Sequence, residues 1–252
     1  MASAPERRSP RDSFITVYGR MPVQEVLLDP ALEVDKLIVA ENARGSIDRL
    51  LRLAEQRDVP VEWASSHRVK LLAGNGKHDQ GVVADVVAPG LRSLEEYVAE
   101  APRDARVLLL DGVSNPSNVG MLVRTATAAG IAVVLPTKGT AAIGPLVIKA
   151  SAGVAYRATI VRARASAEAL RALHQAGFTS YGLDSEAAES LYEAEFRGRT
   201  AFVLGNETEG ISDEVEALVE ELVSIPMANG VESLNVASAG AVVAFELVRR
   251  TL

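Results

Sequence analysis

The chain has 252 residues, 48% hydrophobic and 23% charged, an ordinary composition for a globular protein with room for one large domain or two. It has no cysteine, which excludes disulfides, thiol nucleophiles and thiolate metal sites. No apolar run approaches the ~18 residues of a membrane helix, and the net charge of −7 at first argues against a polyanionic partner.

Residues 1–13, MASAPERRSPRDS, carry arginines but no apolar core. They read as a disordered lead-in and not as a secretory signal, and with the missing cysteines they favour the cytoplasm. From Phe14 to Ala88 a small α/β unit is expected. DKLIVAE (35–41) and QGVVADVV (80–87) are strand-like. SIDRLLRLAEQRD (46–58) places Ile47, Leu50, Leu51 and Ala54 on one helical face, with Ser46 as its N-cap. VPVEWAS (59–65) is a short strand. The stretch 88–106, APGLRSLEEYVAEAPRDAR, holds a Pro-Gly turn, a short acidic helix and another proline, and a linker is expected over 89–105.

Residues 106–252 alternate more regularly. RVLLLDG (106–112) is a continuous apolar run, as in a strand buried on both faces. A small apolar helix follows over Val119–Ala129, capped by Ser117 or Asn118. IAVVLP (131–136) is a strand, and ASAEALRALHQAG (165–177) a helix ending at a Gly C-cap. FTSYGLD, TAFVLG and LVSIPM read as strands, ISDEVEALVEE (211–221) and LNVASAGAVVAFELVRR (234–250) as helices. The alternation predicts an α/β fold, a parallel sheet with helices on both faces. Ligands on such sheets bind beyond the carboxyl ends of strands, here after Leu110, Leu204 and Met227.

Charge is unevenly spread. Arg103–Arg171 holds nine Lys+Arg against three Asp+Glu, and from Ala172 onward there are four against fourteen. The basic segment could meet phosphates, although charge also segregates by chance. No G-x-G-x-x-G follows a strand, no Walker-type loop is present, and GNGKHDQG (74–81) lacks that spacing. His67, His78 and His174 are too scattered for a metal cluster, so no metal is expected, and His174 reads as a surface residue.

Three loops carry candidate chemistry. In DGVSNPSNVGMLVRTA, Asn115-Pro116 forces a turn after a buried strand, Gly120 permits close backbone approach, and Arg124 interrupts an apolar helix. In FVLGNETEGIS, Gly205 and Gly210 bracket Asn206, Glu207 and Glu209, and carboxylates there disfavour an anion. In IPMANGVESLNVASAG, Ser233 and Asn235 stand where a helix of small residues begins. Each loop alone also fits a plain structural role: a surface arginine, a solvated turn, a helix cap.

In this order and at these separations the three loops resemble the SpoU/TrmH family of RNA ribose 2′-O-methyltransferases, of the SPOUT superfamily. Asn118, Gly120 and Arg124, then Gly205, Glu207 and Gly210, then Ile225–Val236 carry the resemblance. VYGRMPVQEVLL (17–28) and HDQGVVADV (78–86) resemble the family's L30e-like substrate-binding domain. After SLNV this chain reads ASAG, with Gly240 where alanine is expected, and after IPM, where many members of the family place Gly two positions on, Asn229 is followed by Gly230.

The resemblance implies an L30e-like domain over 14–88 and a SPOUT catalytic domain over 106–252 with a C-terminal trefoil knot. It implies S-adenosylmethionine bound at Gly205, Asn206, Ile225, Met227 and Leu234. Arg124, Asn118, Glu207, Ser233 and Asn235 would be the catalytic set, at the interface of a homodimer. Arg124 would either give up its proton on substrate binding or stay charged and grip a phosphate, since arginine rarely deprotonates. Lys138, Lys149, Arg157, Arg162 and Arg164 would form an RNA track, with large-subunit (23S) rRNA the first expected substrate. The alternatives are tRNA, a resistance-conferring rRNA methylation, a non-catalytic RNA-binding protein of the same fold, and a nucleotide-dependent transferase.

Overall fold

A computed structural model describes residues 13–43, 47–74 and 79–251. Most of the expected lead-in, Ser46 and half of GNGKHDQG, with His78, lie outside them. The chain divides into two compact units between Pro89 and Gly90.

The first unit runs β1 (Phe14–Tyr18), α1 (Arg20–Leu28), β2 (Val34–Ala40), α2 (Asp48–Gln56), β3 (Val61–Ala64), α3 (Ser66–Ala73) and β4 (Val82–Val87). Its sheet has the order β1-β4-β2-β3. β4 is antiparallel to β1 and β2, while β3 is parallel to β2 and forms the edge. The apolar residues of β2 and β4 are buried on both faces, which is why both stretches read as strands. In β4 the buried Asp85 accepts a hydrogen bond from Thr16 Oγ1 at 2.7 Å. α2 turns Leu50 and Ala54 inward, as its periodicity predicts. β1, α1 and α3 were not among the expected elements, although β1 alternates half-buried and buried residues.

The second unit runs β5 (Leu91–Ser93), α4 (Leu94–Glu100), β6 (Arg106–Leu110), α5 (Pro116–Ala128), β7 (Ala132–Pro136), α6 (Pro145–Ala150), β8 (Ile160–Ala163) and α7 (Ser166–Gln175). It continues with β9 (Phe178–Leu183), β10 (Arg199–Leu204), α8 (Asp213–Glu216), β11 (Glu221–Val223) and α9 (Val236–Arg249). The seven strands are parallel throughout, in the order β11-β9-β10-β6-β7-β8-β5. On one face Val107, Leu109, Val134, Val161 and Val203 pack with α4 and α7. α5, α6 and α9 pack together and cover the other face. Among the described residues no helix is long and apolar enough to cross a membrane.

Three expectations need correction. The stretch 89–105 is not a linker. Leu91–Ser93 is the sheet's outermost strand, with Leu91 opposite Ile160. Ser93 and Glu96 form a reciprocal capping box on α4, whose Leu94 and Tyr97 are buried against α7. A three-residue strand is too short to show a period, and burial there raises the Tyr97 hydroxyl pKa to about 12 against the pull of Arg199 and Arg92. The expected helix 211–221 is a single turn, Asp213–Glu216. Only Val215 of that turn is buried, and Glu216 and Glu220 would repel at i,i+4 in a longer helix. Of the expected strand 222–227 only Leu222 and Val223 join the ladder to β9, with Ser224 in a single bridge to Ser190, and Pro226 has no N–H to extend it.

The end of α9 is anchored by a buried carboxylate. Glu246 accepts from Arg249 Nε and Nη2 at 2.8 Å each and from Arg250 Nε at 2.7 Å. Arg250 also donates to the Leu191 and Ala194 carbonyls and lies 4.6 Å over the Phe196 ring. The Arg249 hydrogen bonds, opposed by burial and joined by those of Arg250, lower Glu246 from its ordinary 4.5 to about 2. A depressed carboxylate stabilises the fold above its unfolded pKa, and that stabilisation is lost as pH falls through the folded value. Glu246→Gln is therefore expected to cost roughly 2 kcal/mol at neutral pH. The gap between variant and wild type, read by denaturant melts, should narrow between pH 4.5 and about 2. A gap that stays constant across that range overturns the assignment.

Candidate active site

Three loops at the carboxyl ends of β6, β10 and β11 converge. β6 ends at Leu110, and Gly112 turns the chain with φ +68°. The cap of α5 is Asn115, whose Oδ1 accepts from Ser117 N at 2.9 Å, and not Ser117 or Asn118 as expected. Pro116 occupies the first helical turn, where its missing N–H costs nothing.

Asn118 is thereby left for a different task. It is 5% exposed. Its amide donates to Glu207 Oε1, and its Oδ1 accepts from Asn235 Nδ2 at 3.3 Å. Asn235 itself caps α9, accepting from Ala237 N at 2.9 Å and Ser238 N at 3.4 Å. One chain of side-chain bonds thus ties α5, the loop after β10 and the start of α9.

The glycines set how closely these elements approach. A Cβ on Gly120 would lie 2.5 Å from Ala150 Cβ and 2.6 Å from the Val147 carbonyl, so the close approach is to α6. A Cβ on Gly240 would lie 2.3 Å from Leu122 Cδ2. That contact accounts for glycine where alanine was expected. It also assigns this small residue of α9 to packing on α5 within the chain.

The loop after β10 is a closed ring. Asn206 N donates to Gly210 O at 2.7 Å and Gly210 N returns to Asn206 O at 3.0 Å. Asn206 Oδ1 accepts from Thr208 N at 2.8 Å and Glu209 N at 3.2 Å, and its Nδ2 donates to Gly112 O at 2.8 Å. Asp111, 7% exposed, accepts from Ser212 N at 2.7 Å and pins the far side of the ring to β6. Sequence reasoning missed Asp111. Its signal was an acidic residue directly after an all-apolar strand.

Beside this ring lies a cleft of about 450 Å³. Gly205, Asn206, Ile225, Met227 and Leu234 line it, as do Glu207 and Ser233. Leu183–Ser185, Glu216 and Leu222 complete the wall and were not anticipated. Asp184, Glu207, Glu209, Glu216 and Glu232 stand around it, and no Lys, Arg or His among the described residues lines it. Such a hollow attracts a cation and repels a polyphosphate.

Asn118, Asn235 and Arg124 are not part of that lining. Arg124 is exposed on α5 and makes no hydrogen bond or ion pair among the described residues. The expectation that it projects into the reaction site is not met within one chain. Lys138, Lys149, Arg157 and Arg164 are exposed and Arg162 is partly buried. His174 is not a simple surface residue. Its Nε2 lies 2.8 Å from the buried Ser180 hydroxyl and 3.6 Å from Glu220.

Comparison with known proteins follows the same division. The model of the SpoU rRNA methylase family matches residues 105–245, and that of the RNA 2′-O ribose methyltransferase substrate-binding domain matches residues 16–91. A 23S rRNA (guanosine-2′-O-)-methyltransferase RlmB of Xanthomonas axonopodis pv. citri is 37% identical, covering 86% of this chain and 88% of that protein. Its counterpart in Ralstonia nicotianae is also 37% identical, over 93% and 95%. A crystal structure of an RNA 2′-O ribose methyltransferase superposes with a TM-score of 0.61 at 26% identity, over 96% of this chain and 91% of that one. The SpoU methyltransferase AviRb of Streptomyces viridochromogenes, solved with AdoMet, shares the fold with a TM-score of 0.64 at 23% identity, over 99% and 94%. The matched methylase and substrate-binding families, in that arrangement along one chain, define an RNA ribose methyltransferase. The chain belongs to the SpoU rRNA methylase family.

Proposed function

We infer that the protein transfers a methyl group from S-adenosylmethionine to the ribose 2′-hydroxyl of a guanosine in 23S rRNA. The observation that carries this reading is the cleft, lined among the described residues by five carboxylates, no cation and the apolar side chains of Leu204, Ile225, Met227 and Leu234. A ligand with an ammonium, a sulfonium and an aromatic base fits that lining, and a nucleoside triphosphate does not. The substrate follows relatives that align over nearly the whole chain.

When bound, the cofactor supplies a methyl group on an electron-poor sulfur. The protein supplies position. The peptide groups of the 205–210 ring and of 225–227 hold the ligand. The Glu207–Asn118–Asn235 chain fixes that ring against α5 and α9. Ser233 at the rim orients the attacking hydroxyl, a poor nucleophile that needs placement or a base. Arg124 either takes its proton or grips the neighbouring phosphate with a two-pronged hydrogen bond.

Arg124 lies outside its own chain's cleft, so the enzyme is read as a homodimer with the reaction site at the interface. Met121, Leu146 and Phe245 on α5, α6 and α9 are 40%, 63% and 51% exposed, an apolar surface that a second copy would cover. A C-terminal trefoil knot, an L30e-like first domain and a cytoplasmic location belong to the same reading.

The test incubates the protein with unmodified 23S rRNA or tRNA and radiolabelled S-adenosylmethionine, with Arg124→Ala as control. Label should enter 23S rRNA at one guanosine 2′-oxygen and be lost in the variant. Label in tRNA alone moves the substrate, and no cofactor binding removes the enzymatic reading. If about five cations contact phosphates, affinity for RNA should fall roughly a hundredfold between ~50 and ~200 mM salt. Salt-independent methylation overturns the RNA track.

A further inference from the structure

Trp63 is the chain's single tryptophan. It lies on the edge strand β3 and is 53% exposed, while its neighbour Ala64 packs into the core beneath α3. Ser65 caps α3 by accepting from Arg68 N at 3.3 Å. The helix then presents His67, Lys70 and Leu71 at i, i+3 and i+4 on one exposed face, with Leu71 64% exposed. Arg68 lies 3.4 Å from Glu62, which also meets Lys36 at 3.6 Å, so two cations share one carboxylate. Glu41, whose amide donates to Ala64 O, is the other acid at this end of the strand. No Asp or Glu occurs in the sequence between Glu62 and Asp79. An exposed indole and leucine therefore sit among cations that outnumber the acids. Core packing requires none of these exposed side chains.

We propose that Trp63–Leu71 is a contact for single-stranded RNA, with the Trp63 indole stacked on an unpaired base and Arg68 and Lys70 on the flanking phosphates. The proposal deepens the 23S rRNA reading and rests on it. Stacking needs a base freed from its helix, so this surface selects a loop or bulge over a duplex. The phosphates offer Arg68 a second partner in addition to Glu62.

The indole reports on itself, because no other tryptophan contributes to the emission. Titrating the full-length protein with an unmodified 23S rRNA loop fragment that holds the target guanosine should quench Trp63, and a fully paired RNA of equal length should not. Trp63→Ala should raise the KM for RNA roughly five- to a hundredfold with kcat and S-adenosylhomocysteine affinity unchanged, and Trp63→Phe should restore most of it. Unchanged emission and an unchanged KM, with methylation intact, overturn the proposal and leave the methyltransferase reading standing. Quenching by the loop RNA without methyl transfer keeps this contact and sinks that reading. Emission that shifts with protein concentration and not with RNA assigns the surface to a second copy, which also overturns the proposal.

Discussion

Replacing Arg124 by alanine is expected to lower methyl-transfer turnover by roughly 10²- to 10⁴-fold, the range of a lost acid–base or positioning group. S-adenosylhomocysteine should bind as before, since Arg124 does not line the cleft. The melting temperature should barely move, because an exposed side chain with no partner among the described residues contributes little to one chain's fold. Arg124→Lys then separates the two roles. Lysine offers a point charge where the guanidinium offers a planar fork, so the positioning role predicts a loss nearly as deep. Near-wild-type turnover in that variant removes the fork, and wild-type turnover in Arg124→Ala removes the residue from the mechanism.

Gly205→Ala is expected to weaken S-adenosylhomocysteine binding at least tenfold and to cost about 1–3 kcal/mol of stability, the usual range for overpacking. The added Cβ would sit 2.2 Å from Gly210 C and 2.4 Å from both Gly210 O and Ile211 N. All three atoms are backbone, so no rotamer relieves the clash. The ring must open, breaking the paired Asn206–Gly210 bonds that shape the cleft's edge. Calorimetric titration checks this directly. Unchanged affinity would mean that the ring's closed form is not the binding form.

Much of the second unit is legible in sequence because its central strands are buried on both faces. Val107–Leu110 and Ala201–Leu204 are apolar without interruption, and that pattern is local. The three polar loops are legible for a related reason: Asn115-Pro116, Gly205…Gly210 and Asn229-Gly230 interrupt those runs with turn residues. Short edge elements were not legible. β5 has three residues, and α8 is one turn inside an acidic stretch that resembles a longer helix. His174 shows the same limit for side chains, since its partner Ser180 is six residues away on the next strand.

By itself the sequence determined β6, α5, β7, α7, β9 and β10 in their order, though not α6 or β8 between them, together with the positions of the polar loops and the residue types available for chemistry, because each depends on near neighbours in the chain. Only the tertiary structure decided that Asn118 meets Glu207 and Asn235, 89 and 117 positions away. It alone decided that residues 91–93 belong to the large sheet and 94–100 to a helix packed on it, that Gly120 and Gly240 serve helix packing, and that Arg124 lies off its own chain's cleft. Those contacts follow from parallel crossovers, which carry each strand back over a helix and place loops from distant segments side by side at one edge of the sheet.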